Sequence, residues 1–169
     1  MFKKGYEAMT IKDICDQANV GRSTFYAHYR SKDELRRSSF EHLRRLLHER
    51  QKNALAQTAG GSHRHFGFSL AHFEHAREHI ALYRALTGTR GAAIALTSIR
   101  KVLCELIRTE IASTESDHSA DSVATELTVQ FVVGAYMAVL TWWLEQGAKP
   151  APEEMERLLR RLLTTGVTT

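Results

Sequence analysis

The sequence predicts an all-α protein, and three observations carry that expectation. Its two prolines, Pro150 and Pro152, stand together near the end, so everything before Lys149 is free of the strongest helix breaker. Capping residues repeatedly precede apolar residues at helical spacing. A stretch of eighteen residues, Leu127 to Leu144, holds no charge at all and reads as a buried helix.

Composition narrows the class. The chain has 169 residues, 43% of them hydrophobic and 25% charged, enough for one substantial core or two small ones. Cys15 and Cys104 each fall inside an apolar helical pattern without paired spacing, which suits a reduced, cytoplasmic setting. "MFKKGYEAMT" has lysines but no apolar stretch behind them, so no signal peptide is expected. The charge is uneven: residues 1–52 hold 12 Lys/Arg against 7 Asp/Glu, and residues 53–169 hold 11 against 12. A basic first third followed by a near-neutral remainder suggests a small module that contacts a polyanion, or a solvated basic surface.

The elements follow in order. Thr10 and Asp13 form an N-cap with an acidic partner, and Ile11, Ile14, Cys15 and Ala18 then repeat over a helix of about 10–18. Asn19 suits the left-handed residue that ends a helix, with Val20 plugging the turn from inside. Gly21 caps a second helix, roughly 22–29, whose Phe25 and Tyr29 face the same core as Ile14 and Ala18. Ser31 and Glu34 form a capping box for a long helix reaching Gln57.

Two short helices joined by a tight turn, with a capped third immediately after, predict a helix-turn-helix. With Phe25 and Tyr29 inward, Arg22, Ser23, Tyr26, Ala27 and Arg30 project outward, as a major groove would receive them. Tyr26 and His28 can donate to phosphate oxygens, and Lys32 adds charge at the start of the long helix. The amides at the start of the Thr10-capped helix suit a second phosphate.

The segment "GYEAMTIKDICDQANVGRSTFYAHYRSKDEL" resembles the DNA-binding domain of the tetracycline-repressor (TetR) family. The likeness covers a Gly-aromatic pair, a Thr-capped helix, the helix-helix turn, a Thr-Phe-Tyr-x-His recognition helix and Ser-Lys-x-x-Leu. It implies DNA-backbone roles for Thr10, Thr24, Tyr26, His28 and Lys32, and base-edge readout by Arg22, Ser23 and Ala27. Cys15 stands where alanine is usual, Asn19 replaces the turn glycine and Gly21 replaces a serine cap. Each keeps the required conformation. Against the family pattern only Met1 to Lys4 remain of a first helix, so that helix is expected to be truncated, with Phe2 and Tyr6 covering Ile14 and Phe25.

Beyond the long helix, "QTAGGSHRHFG" and "STESDHSADS" read as loops, with helices expected at about 68–86 and 92–112. The uncharged stretch is long enough to raise a membrane span. Thr128, Gln130 and Thr141 within it and Glu126 and Glu145 beside it favour a buried helix instead. One face would pack on its own domain and the other on a second copy, with Gly134, Ala135 and Ala138 allowing close approach. A turn holding both prolines leads to a last helix with Met155, Leu158, Leu159, Leu162 and Leu163 as its stripe. This part resembles, more loosely, the family's Firmicutes-type C-terminal domain. The resemblance implies a homodimer formed through the last two helices, about 121–146 and 152–165.

The expected domains are therefore 1–48, a DNA-binding helix-turn-helix, and 49–169, an effector-binding and dimerisation domain. The resemblance implies a dimeric repressor of a palindromic double-stranded DNA operator, released when a small-molecule effector enters a cavity among the central helices. Tyr83, Tyr136, Trp142 and Trp143 are candidates for lining it or for plain core. His72, His75 and His79 share one helix face in a segment that also holds His63 and His65. A metal site there competes with a solvated basic face or a polar contact in a pocket, and no metal or cofactor is expected. No nucleophile elbow or phosphate loop occurs, so no enzyme is expected. The alternative is a dimeric helical small-molecule or metal binder with a degenerate DNA-binding domain.

Overall fold

The computed structural model describes residues 8–57, 66–80, 83, 90–114 and 122–165, and among them it holds seven helices and no strand. Helix α1 (Ile11–Ala18) starts where Thr10 and Asp13 satisfy each other. The Thr10 hydroxyl accepts from the Asp13 amide at 3.2 Å, and the Asp13 carboxylate accepts from the Thr10 amide at 2.8 Å. The helix ends at Asn19, left-handed at φ 52°, after which the Val20 amide donates to the Cys15 carbonyl at 3.0 Å. Val20 does not plug the turn: its side chain is 42% exposed, and backbone hydrogen bonds close the turn instead.

Helix α2 (Arg22–His28) follows from Gly21 and stops one residue short of expectation, because Tyr29 is already extended at φ −138°. Phe25 is buried and Tyr29 half-buried with ring centroids 5.8 Å apart, and Ile14 is half-buried beside them. Ala18, expected in the same core, is exposed.

Helix α3 (Lys32–Ala56) begins with half of the expected capping box. The Ser31 hydroxyl accepts from the Glu34 amide at 3.1 Å, but the Glu34 carboxylate takes the Arg30 amide at 2.6 Å. At 1.5 Å per residue this helix is about 38 Å long. Its buried residues Leu43, Leu47 and Gln51 fall every fourth position toward its far end.

Helices α4 (Ser69–Glu78), α5 (Arg90–Thr114), α6 (Ser122–Glu145) and α7 (Pro152–Thr165) complete the structure. Helix α5 packs along α6, α4 against α7, and α3 against both α4 and α5. One apolar cluster runs through all five, with Phe68, Phe73, Leu106, Val129, Val133 and Trp143 fully enclosed. Helix α4 closes at Glu78 with His79 as its cap, while Ile80 and Tyr83 of the expected 68–86 are helical again, and residues 81–82 and 84–86 of that range lie outside the described residues. So do most of the two expected loops, at 58–65 and 115–121.

Buried polar groups tie the elements together. The Phe66 amide donates to the Glu110 carboxylate at 2.8 Å, while the Gln51 side-chain amide donates to the Leu106 carbonyl at 2.7 Å and reaches Glu110 at 3.4 Å. These bonds join α3, the turn before α4, and α5. Gly67 lies so close to α3 that a Cβ there would meet the Ala54 methyl at 2.2 Å, so only glycine lets the turn approach.

Helix α6 is covered on one face only. Val129, Val132, Val133, Tyr136, Leu140, Trp143 and Leu144 are buried, whereas Val123, Leu127, Phe131 and Trp142 are each more than half exposed. Ala138 is exposed on the same side, and a Cβ added to Gly134 would meet nothing within 4 Å.

Candidate nucleic-acid interface

Helix α2 is held by a single deep anchor. Phe25 is 5% exposed, and the other six residues, Arg22, Ser23, Thr24, Tyr26, Ala27 and His28, are exposed. Each of these six is a residue expected to touch DNA, and all six are open to solvent around the helix. The Tyr26 ring leans edge-on against Phe25, centroids 5.5 Å apart, and remains 56% exposed, leaving its hydroxyl outward. Helix α2 contains no acidic residue, so its face offers hydrogen-bond donors and positive charge without a competing carboxylate.

Two expected contacts are placed differently. Thr10 is exposed, but its hydroxyl also donates to the Asp13 carboxylate at 2.7 Å, so it acts within the cap that orients the α1 amides. Lys32 is half-buried, and its ammonium donates to the Met9 carbonyl at 3.2 Å. It clips the chain before α1 to the start of α3, and its charge stays at that helix start.

Two exposed cations flank the recognition face: Arg30, expected to project outward, and Lys12, which was not among the expected DNA contacts. The Asp16 carboxylate hydrogen-bonds the Lys12 ammonium and holds it above the usual lysine range, with the nearby Arg22 guanidinium opposing. The signal for Lys12 was its four-residue spacing from Asp16, which reads equally as a solvent-facing pair.

Of the three histidines, His75 and His79 meet with ring centroids 4.5 Å apart, while His72 turns away into the core. His72 is fully buried, not solvated, stacking on Tyr136 at 5.6 Å with its Nδ1 3.1 Å from the Tyr136 hydroxyl. Burial first, and the nearby His75 second, lower its pKa to about 3, so the ring is neutral at pH 7. His75 turns instead to the Tyr83 hydroxyl at 3.3 Å, and desolvation, then His79, lower its pKa to about 4. Among the described residues no three His, Cys, Asp or Glu side chains are grouped to hold a metal ion. His63 and His65 lie outside the described residues. Of the four aromatic candidates, Tyr83 lines a cavity, Tyr136 and Trp143 are core, and Trp142 faces out.

Comparison with known families agrees with this architecture at both ends. Residues 1–38 match the family model described as bacterial regulatory proteins, tetR family, and residues 66–165 match the model of a transcriptional regulator C-terminal region. No curated protein matches the chain significantly. A helix-turn-helix with an outward recognition face, joined to a helical regulatory region matched over most of its length, places the chain in the tetR family of bacterial regulatory proteins, as a DNA-binding transcriptional regulator.

Proposed function

We propose that the protein is a ligand-responsive repressor that binds a palindromic operator as a homodimer. The observation that carries it is the α2 surface, where one buried phenylalanine supports six exposed residues suited to a major groove. In this reading Arg22, Ser23 and Ala27 meet base edges. Thr24, Tyr26, His28 and Lys32 hold phosphates, and Thr10 orients the α1 amides toward another.

The second copy is supported by the bare side of α6. Val123, Leu127 and Phe131 repeat every fourth residue, and Ala138 and Trp142 continue the stripe. Leu162 of α7 adds a further exposed apolar side chain. The helix from Val123 to Glu145 is also long and apolar enough to cross a membrane. A span would need an apolar face all round, whereas α6 shares one face with the core and leaves Glu126 and Gln130 exposed or half-exposed in ion pairs and hydrogen bonds. A partner helix fits this mixed surface better.

The test is titration of duplexes that the protein itself selects from a random pool. Arg22→Ala should relax sequence preference, and Lys32→Ala should weaken all duplexes alike and flatten the salt dependence by about one unit of slope. Unchanged affinity and preference in both variants would overturn the assignment.

A further inference from the structure

A cavity of about 470 Å³ lies between the helix-turn-helix and the regulatory helices. One wall is built by Ile14 of α1, by Tyr29 and by the first half of α3; the facing wall by His75 and His79, by Tyr83 and by Ile99 of α5. That volume falls within the range of small-molecule sites, about 300–1,000 Å³. The enclosed regulatory core shows a different picture, with Phe73 and His72 each stacked on Tyr136, Phe68 tilted against the same ring and Trp143 edge-on to Phe73.

The chemistry of the walls is two-sided. Leu35, Phe40, Leu43 and Ile99 make much of the surface apolar. Lys32, Arg36 and Arg45 bring positive charge, and no Asp or Glu is among the described residues that line the space. Arg36 is paired with Asp33 at 3.1 Å and Lys32 is bonded to Met9, whereas Arg45 makes no ion pair among the described residues. We propose that this cavity is an effector site for an apolar monoanion, a molecule with a hydrocarbon body and one carboxylate that Arg45 receives. The proposal rests on the chain being a ligand-responsive regulator, and it names where and by what chemistry. A cationic ligand would meet Lys32, Arg36 and Arg45 with no carboxylate among the described lining residues, whereas an anion with its body in the apolar part finds Arg45, exposed at the rim, as its partner. His75 is neutral at pH 7 and offers the ligand a hydrogen-bonding ring rather than charge.

The position gives the site its regulatory consequence. A molecule bound there touches α1, α3, α4 and α5 together, so it fixes the angle between the reader and the regulatory helices. Operator affinity then changes, and by linkage the operator changes ligand affinity by the same factor.

Calorimetry on the full chain with decanoate, 1-decanol and decyltrimethylammonium tests this directly. Decanoate should bind at least tenfold more tightly than the other two. Arg45→Glu should remove that preference, and Ser39→Trp, which fills the space from the exposed side of α3, should abolish binding. Decanoate should also shift affinity for the selected duplex at least about fivefold. Equal binding of decanol and decanoate, no heat from any probe, a Ser39→Trp variant that still binds, or an unmoved duplex affinity would overturn the proposal. Should Ser39→Trp misfold, the surface change Arg45→Glu decides alone. A protein that selects no duplex yet takes decanoate through Arg45 would support the cavity and count against the repressor reading.

Discussion

The reader and the regulatory helices are held by different forces, although they share one chain. In α1 and α2 only Cys15 and Phe25 are buried, and the shape comes from the Thr10 cap, the left-handed Asn19 and the turn bonds between them. Helices α3 to α7 instead close around a continuous apolar cluster. A module fixed by local geometry can keep its shape while its surroundings move. A module fixed by long-range packing must move as a whole or lose its core.

The sharpest way to break this contrast is in the cluster. Phe73, fully buried between Tyr136 and Trp143, should cost about 3–5 kcal/mol when changed to alanine, and thermal unfolding should show all regulatory helices melting together. A loss below about 1 kcal/mol would mean that the core is not the unit of stability.

Next comes assembly. Phe131→Arg leaves the reader untouched, yet it should give a monomer by light scattering and lose tight operator binding, because one reader supplies only half of the phosphate contacts. A dimer that persists would move the interface away from α6.

Acid should act on the regulatory helices before it acts on the reader. The folded-state pKa of His72, about 3, lies below its ordinary value, so the unfolded chain binds the proton first and stability falls as pH drops from about 6.5 toward 3. Between pH 7 and pH 5 that amounts to about 2 kcal/mol from His72 alone. His72→Phe should flatten this slope in denaturant midpoints, and an unchanged slope would deny the residue its role.

The smallest effect belongs to the turn. Asn19→Ala should destabilise by about 1 kcal/mol because alanine resists φ 52°, whereas Asn19→Gly should be neutral or slightly stabilising. Hydrogen exchange in α1 reads the difference, and equal behaviour of the two variants would remove the turn from the forces that shape the reader.

The same division explains what could be read from sequence. Thr10, Asn19, Gly21 and Ser31 act on groups within a few residues, so both helices and their outward residues could be inferred from spacing. The Lys32 ammonium finds Met9 twenty-three positions away, and nothing local announces that. Nor does the spacing of His72, His75 and His79 show that the first is core: its partner Tyr136 is 64 positions distant. The 470 Å³ cavity is built from four helices and Tyr83, and such a space exists only once long-range packing has set them apart.

Helix α3 belongs to both regions, and its uninterrupted run of 25 residues makes it a lever arm. Ser31 sits beside the reader, and Gln51, twenty residues on, is pinned in the core by the Leu106 carbonyl. The distance between them is about 30 Å along the axis. A rotation of about 5° about the pinned end therefore carries the tip by roughly 3 Å, the length of a hydrogen bond. In the proposed reading, where Tyr26 and Arg22 meet a duplex at hydrogen-bond distance, such a displacement would break those contacts unless the duplex followed, so a change too slight to disturb the core's packing would separate bound from unbound.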